Sequence, residues 1–291
     1  MAQVPVVLTI AGFDPSSGAG VTADLKTIAA HGMYGVACIT ALTVQSTQGV
    51  RSSEAVSPRL VRETLTCLRD DVHFAAIKIG MMGSAGVVEE VVDFLAAFGA
   101  SRPPVVLDPV LRSTSGSDLL DAPGLELVRA RLLLLVDWVT PNVGELARLL
   151  EGYAAATTPE DARESQAEEE QGVARRSIAR NARLLQAAAG GAVNVVVTGG
   201  DLDPPDDYLL TVEGDSAWLA GKRVETVSTH GTGCAFSTWL ACRLATGDGP
   251  EAAARAAKEY VAAAISNAYI VGKGHGPLNH LWNHLERRQG F

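Results

Sequence analysis

Short apolar runs alternate with longer helix-like segments along most of this chain, and this alternation limits its possible folds more than any other feature. The runs typical of buried strands are residues 4–10, 75–79, 104–107 and 192–197. Segments with helical periodicity are residues 21–31, 58–70, 85–98, 142–150, 172–188, 233–245 and 250–268. Because successive parallel strands are joined by right-handed crossovers, the pattern predicts an α/β fold. We expect a single domain over residues 1–291, with a doubly wound, mainly parallel sheet, helices on both faces and late edge strands from residues 208–227.

Composition excludes several classes of protein. The chain has 291 residues, of which 47% are hydrophobic but only 5% aromatic, so its core must be mainly aliphatic. A net charge of -9 argues against a nucleic-acid binder, which needs a basic surface. The four cysteines form no CxxC pair, which disfavours a zinc site. The N-terminal segment does not resemble a signal peptide and no apolar run is long enough to span a membrane, so we expect a cytoplasmic protein without a membrane partner.

The first strand leads into the sequence AGFDPSSGAGVTADLK, in which Gly12, Gly18 and Gly20 allow a ligand close to the backbone. Neither GxGxxG nor GxxxxGK[ST] occurs, so the dinucleotide-binding and P-loop motifs are both excluded. A turn that simply needs glycine would explain the segment equally well. Asp24 could likewise be only a charge favoured by the helix dipole.

A second glycine-rich turn, HGTGC, directly precedes a long apolar helix. The free N–H groups from Gly231 to Cys234 could hold a transferring phosphoryl group. A thiol in the first turn of a helix is expected to have a lowered pKa, so Cys234 could accept a proton from an attacking hydroxyl. The alternative is an ordinary glycine-rich helix start with a buried cysteine.

The segment VDWVTPNVGELARLLEG predicts a strand, a turn and a helix. Asn142 and Glu145 have the spacing of a capping box, and that structural role is the simpler interpretation. The functional interpretation is that these two residues order water around Mg²⁺. Asp108 ends another strand and could add charge to the same region, although Asp108 and Pro109 could also form a simple turn.

Taken together and in this order, AGFDPSSGAGVTADLKT, ITALTVQST, KIGMMGS, VVLDPV, TPNVGE, VVVTGG, HGTGCAFS and GKGHGPLNH resemble the hydroxymethylpyrimidine/phosphomethylpyrimidine kinase family of the ribokinase-like superfamily. The resemblance implies an ATP- and Mg²⁺-dependent enzyme of thiamine biosynthesis. Such an enzyme would phosphorylate 4-amino-5-hydroxymethyl-2-methylpyrimidine and then its monophosphate. Its partners would be the pyrimidine and ATP, and it would form a homodimer.

The resemblance also implies roles for individual residues. The pyrimidine would contact Gly12, Asp24 and Gln45, with Met81 and Val110 as apolar walls. Cys234 would be the base, and its presence where sugar kinases usually have Asp argues against a sugar substrate. The remaining implied residues are Gly231, Thr232 and Gly233 for the anion hole, Asn142, Thr198 and Gly200 for the nucleotide, and Asp108 and Glu145 for the metal.

The chain departs from the family at several positions. Thr198 and Thr114 stand where the family often has Lys, and Asp201 stands where His is common. An acidic insertion covers residues 153–171. Two other functions remain open from the sequence: a pyridoxal-type kinase of the same superfamily, and a non-catalytic pyrimidine-binding protein.

Overall fold

The computed structural model describes residues 4–113, 116, 118–152 and 168–285, without the side chains of 168–171 and 285. The strands are β1 (Val6–Phe13), β2 (Tyr34–Ser46), β3 (Gly49–Ala55), β4 (Ala76–Ile79), β5 (Val105–Leu107), β6 (Trp138–Val139), β7 (Asn194–Val197), β8 (Asp207–Leu210) and β9 (Ser216–Leu219). The α-helices are α1 (Gly20–Ala30), α2 (Pro58–Asp71), α3 (Ala85–Ala96), α4 (Ala122–Ala130), α5 (Val143–Leu150), α6 (Glu168–Ala188), α7 (Thr232–Ala245), α8 (Pro250–Ser266) and α9 (Trp282–Leu285).

All nine of these strands form one sheet, in the order β3-β2-β1-β4-β5-β6-β7-β8-β9. The pairs from β2 through β1 to β7 are parallel, whereas β3, β8 and β9 pair antiparallel at the two edges. The chain moves outward from β1 to β2 and β3, then returns to β4 on the other side of β1. The boundary between β1 and β4 is therefore the switch point, where doubly wound sheets bind ligands.

Alternate residues of each central strand enter cores on opposite faces of the sheet. Leu8 packs in a core with α2 to α6, whereas its neighbour Val7 packs in a core with α1, α7 and α8. Both residues are fully buried. This two-sided burial explains why the strands are continuous apolar runs and why a sheet with so few aromatic residues is stable.

The predicted doubly wound sheet with helices on both faces is confirmed, and so are the late edge strands, now β8 and β9. The first strand begins two residues later than predicted and extends to Phe13. The long strand β2 and helix α4 were not predicted. No helix among the described residues is long and apolar enough to cross a membrane. The single domain remains a prediction, because the acidic insertion up to residue 167 and the last six residues lie outside the described ones.

Candidate active site

Polar groups collect at the carboxyl ends of the strands around the switch point. Asp14 follows β1, Asp108 follows β5, and Asn142 follows β6 after a short turn. The start of α7 reaches the same edge, since Ser237 Oγ donates to Asp108 Oδ2 at 3.1 Å. Segments far apart in the chain therefore build one site.

The loop after β1 folds around the carboxylate of Asp14. Its Oδ1 accepts from the backbone N–H of Ser16 at 2.8 Å and from the Ser16 hydroxyl at 2.7 Å. Its Oδ2 accepts from the N–H groups of Gly18 and Ala19 at 3.1 and 2.9 Å, and lies 2.8 Å from His230 Nε2. Burial alone would raise the pKa of Asp14, but the hydrogen bonds from His230 and Ser16 lower it. Asp14 is thus an ionised carboxylate that joins this loop to the HGTGC turn.

The same loop lies against the start of α7. Gly231 has a left-handed backbone with φ of +87°, and a Cβ on it would overlap the carbonyl oxygen of Gly18. Gly20 is equally close to the carbonyl of Gly12. Gly231 is the N-cap of α7 and no side chain caps this helix, so its first N–H groups are available to an anion. The structure therefore brings together the two glycine-rich turns that the sequence singled out.

A buried ion pair lies beneath these turns. Lys78, in the middle of β4, places Nζ 3.0 Å from Asp24 Oδ2 and 3.2 Å from Oδ1, and both side chains are fully buried. Asp24 also accepts from the hydroxyls of Thr9 at 2.5 Å and Thr238 at 2.8 Å. These four hydrogen bonds occupy the roughly four acceptor positions of the carboxylate oxygens. The predicted contact between Asp24 and the pyrimidine does not fit this geometry, because no face of the carboxylate is open.

Cys234 lies in the first turn of α7, as predicted, but its acidity differs from the expectation. The carboxylates of Asp108 and Asp24, the ammonium group of Lys78 and the backbone N–H of Gly20 all act on its thiol. Burial, together with the charges of Asp108 and Asp24, raises the pKa of Cys234 to about 12, and the nearby Lys78 only partly offsets this. The expected lowered pKa is therefore wrong, because burial of the thiol, reinforced by two carboxylates, raises it.

The segment at residues 142–145 forms the capping box that was the simpler interpretation. Glu145 N–H donates to Asn142 Oδ1 at 2.8 Å, and Asn142 N–H donates to Glu145 Oε2 at 2.9 Å. Burial and the charge of Asp108 nevertheless raise the pKa of Glu145 to about 8. Thr198 bridges to Asn142 in parallel pairing, and the carbonyl of exposed Gly200 accepts from Arg223. The residues implied for nucleotide and metal binding therefore lie around the ends of β5, β6 and β7.

The residues that the resemblance implies for binding the pyrimidine ring lie on the β1 side of the site. Met81 is buried in a small apolar cluster against which Val110 packs, and a Cβ on Gly12 would lie 2.8 Å from Met81 Sδ. Gln45 is half-buried near the end of β2, with Nε2 placed 3.1 Å from His230 Nε2. These groups offer an apolar wall and an amide edge. Their roles in substrate binding stay predictions.

The carboxylates near the end of β5 suit a hard cation. The pKa of Asp108 is raised by its burial despite Lys78 at 3.9 Å, and the pKa of Glu145 is raised by its burial and by Asp108, so the cations nearby do not fully compensate the two acids. No group of three or more acidic, His or Cys side chains that could hold a metal occurs among the described residues. This donor set fits Mg²⁺, which binds through one or two carboxylates, waters and substrate phosphates.

Three residues of this site were not assigned a role from the sequence: Asp14, Lys78 and His230. A signal for Lys78 was present, because a lysine inside the apolar run AAIKIG must be paired if the strand is buried. His230 lay within the HGTGC turn that was singled out, but its contact with Asp14 spans 216 residues and left no local signal.

Residues 14–279 match the family model described as phosphomethylpyrimidine kinase. The chain belongs to the phosphomethylpyrimidine kinase family. This membership confirms the resemblance on which the residue roles were based. Thr114, one of the departures from the family pattern, lies outside the described residues.

Relatives of this kinase family agree in sequence and in fold. The hydroxymethylpyrimidine/phosphomethylpyrimidine kinase of Haemophilus influenzae is 38% identical over 287 residues, which cover 96% of this chain and 98% of that protein. The thiamine biosynthesis multifunctional protein ThiED of Corynebacterium glutamicum is 38% identical over 98% of this chain and 35% of its own length. The crystal structure of Bacillus subtilis pyridoxal kinase with ADP has a TM-score of 0.79 at 27% identity, covering 97% of this chain and 100% of the other.

Proposed function

We propose that this chain is an ATP-dependent kinase of thiamine biosynthesis. It transfers a phosphoryl group to the hydroxymethyl group of 4-amino-5-hydroxymethyl-2-methylpyrimidine and then a second one to the monophosphate. The relatives with this printed activity match the chain over nearly its whole length, which supports the same substrate here.

The observation that carries the proposal is the contact between the two glycine-rich turns. The start of α7, with uncapped N–H groups, lies against the loop between Gly12 and Gly20, and Asp108 lies beside it. A phosphate held by the helix start would therefore lie next to a ring held between Met81 and Gln45. Positioning of this kind and charge stabilisation are the main contributions of a protein to phosphoryl transfer.

ATP and Mg²⁺ are part of the proposal. Asp108 and Glu145 would hold the cation through oxygen atoms or water, and Asn142, Thr198 and Gly200 would contact the nucleotide. The cation would neutralise charge on the phosphates during transfer. The capping box orients Glu145, because its Oε2 accepts from the N–H of Asn142 at 2.9 Å.

Cys234 is proposed as the proton acceptor in the first transfer, with Gly231, Thr232 and Gly233 as the anion hole. A thiol with a pKa of about 12 is protonated at neutral pH, so this role requires that occupation of the site lower its pKa. Titration of thiolate absorbance with and without nucleotide, using Cys234→Ser as the reference, would measure this change. An unchanged pKa would remove Cys234 as the base.

A pyridoxal-type kinase is the second candidate, because the fold closely matches that of a pyridoxal kinase. The fold alone does not distinguish the hydroxymethylpyrimidine from pyridoxal, because both are flat rings that carry a hydroxymethyl group. The higher identity and the implied amide edge at Gln45 favour the pyrimidine.

Product analysis by phosphorus NMR tests the proposal directly. The purified chain is incubated with ATP and Mg²⁺, together with either hydroxymethylpyrimidine or pyridoxal. We expect the pyrimidine monophosphate to appear first and the diphosphate later. Phosphorylation of pyridoxal alone would favour the second candidate, and saturable binding of the pyrimidine without turnover would favour a non-catalytic binding protein.

We also propose a homodimer and a cytoplasmic location. The β2–β3 ribbon supports self-association, since β3 is an edge strand and the outward side chains Leu42 and Val44 are 53% and 59% exposed. Sedimentation velocity over a range of concentrations would test the dimer, and a single monomeric species would reject it.

A further inference from the structure

Four side chains near the substrate end of the site form a hydrogen-bonded chain whose donors and acceptors can be assigned. His230 Nε2 lies 2.8 Å from Asp14 Oδ2 and 3.1 Å from the Gln45 amide. The other end of that amide lies 3.1 Å from Thr43 Oγ1, and Thr43 Oγ1 lies 3.0 Å from the carbonyl oxygen of Phe13. Each of these contacts has the length of a hydrogen bond.

The carboxylate of Asp14 determines which atom carries the proton at one end. Oδ2 already accepts from two backbone N–H groups and can only accept, so His230 must place an N–H at Nε2. A bare Nε2 would put two lone pairs 2.8 Å apart. The lowered pKa of Asp14 agrees with an ionised acceptor. The assignment holds whether the imidazole is neutral or doubly protonated, because Nε2 is a donor in both forms.

This assignment determines the orientation of the Gln45 amide. The amide NH₂ cannot face the N–H of His230, so the oxygen faces His230, where it shares the single Nε2 hydrogen with Asp14 Oδ2, and the nitrogen faces Thr43. This orientation of the amide also gives Thr43 a consistent set of partners. The Thr43 hydroxyl has one hydrogen, which goes to the Phe13 carbonyl, and its lone pair then accepts from the Gln45 NH₂.

The ring of His230 cannot turn to avoid this arrangement. Its Cδ2 packs directly on the backbone of Gly18, where a Cβ would overlap it, and its own backbone N–H donates to Gly276 at 3.1 Å. The side chain of His230 is only 14% exposed and that of Asp14 only 4%. Because the His230 ring and the Asp14 carboxylate are both held in place by the fold, the orientation of the Gln45 amide is set before a ligand binds.

We propose that Asp14 and His230 are positioning residues that fix the polarity of the Gln45 carboxamide. The amide then keeps one N–H and one oxygen lone pair for the ligand, in a set order along its edge. A ring whose edge carries an amino donor beside a ring-nitrogen acceptor fits in one orientation only, which directs its hydroxymethyl arm. This inference rests on the proposed function, because it assumes that Gln45 faces the substrate ring.

Heteronuclear NMR on the ligand-free chain tests the polarity without turnover. Long-range proton–nitrogen spectra identify the protonated nitrogen of His230, and Gln45→Glu assigns the amide signals. We expect a proton on Nε2 and nuclear Overhauser effects from the amide NH₂ to Thr43. A bare Nε2, or effects from the NH₂ to the His230 ring, would overturn the proposal.

Substrate measurements test the consequence of this polarity. His230→Leu should weaken hydroxymethylpyrimidine binding in calorimetry by about tenfold and raise its KM, with the KM for ATP changed less than about twofold. Thr43→Val should act in the same direction, whereas Thr43→Ser, which keeps the hydroxyl, should restore binding. Equal changes in both KM values, or unchanged pyrimidine affinity in both His230→Leu and Thr43→Val, would reject the positioning role. If the unaltered chain neither binds nor phosphorylates the pyrimidine, the proposed function fails, and the NMR result still decides the polarity.

Discussion

The buried pair of Lys78 and Asp24 allows a sharp test of how this site is held together. Lys78→Met keeps most of the side-chain volume but removes the cation that lies 3.0 Å from Asp24 and 3.9 Å from Asp108. Two buried carboxylates then lack a counter-charge. Breaking a buried pair in this way costs about 3–5 kcal/mol. That is a large part of the roughly 5–15 kcal/mol that stabilises a typical domain.

The double variant Lys78→Met/Asp24→Asn separates charge from packing. It removes the cation and one anion together, so we expect its free energy of unfolding to exceed that of Lys78→Met alone. The coupling between the two positions should reach about 2 kcal/mol, within the range for residues in direct contact. Urea unfolding at neutral pH, followed by circular dichroism, measures the unaltered chain, Lys78→Met, Asp24→Asn and the double variant.

An exposed pair provides the matched control. Arg59 and Glu63 form an ion pair at 2.8 Å with side chains that are 70% and 55% exposed, so Arg59→Met should cost less than about 1 kcal/mol. If Lys78→Met costs no more than Arg59→Met, or if the losses at positions 78 and 24 simply add, the pair does not stabilise the site as reasoned here.

Three further predictions concern single side chains. Cys234→Ala should slow the first phosphoryl transfer more than the second, because only the hydroxymethyl acceptor must lose a proton; equal losses in single-turnover rates would leave Cys234 as pocket lining. Gln45→Leu should weaken pyrimidine binding by about 1–3 kcal/mol in calorimetry, and unchanged affinity would remove Gln45 from the site. Burial, with Lys26 and His230 nearby, lowers the pKa of His280 to about 3 from its ordinary 6.5, so protons bind the unfolded chain preferentially and stability falls with pH below 6.5. The loss should be roughly 2 kcal/mol at pH 5 and absent in His280→Gln, and equal urea midpoints across this range in the unaltered chain would contradict it.

The fold was predictable because its signal is local and repeated. PPVVL is apolar over its whole length and AAIKIG is apolar except for Lys78, a pattern typical of strands buried on both faces. Strand β2 was missed because it changes character along its length. Its first part packs in the sheet, with Cys38 1% exposed, whereas its last part extends into a ribbon where Val44 is 59% exposed. A pattern that is neither continuous nor alternating predicts no single environment.

The chemistry of the site was less predictable because it depends on contacts between distant segments. Cys234 was correctly placed in the first turn of α7, yet its pKa is raised mainly by burial and further by Asp108 and Asp24, which come from other elements. Asp24 was identified as a site residue, but its partner Thr238 is 214 residues away and its partner Lys78 is 54 residues away. The position of a residue in a helix follows from the nearby sequence, whereas its pKa depends on burial and on charges that distant segments bring next to it.

The charges around the switch point support the proposal that a divalent cation binds together with the nucleotide. Asp108 and Glu145 are acids with raised pKa values, and Lys78, the cation that contacts Asp108, is already hydrogen-bonded to Asp24. A triphosphate brought to this acidic edge would add further negative charge. Thr198 provides no positive charge at the end of β7, so beside Arg223 at Gly200 we expect positive charge from the uncapped N–H groups of α7 and from the proposed divalent ion. The helix contributes only about half an elementary charge, so in this proposal the divalent ion carries most of the compensation.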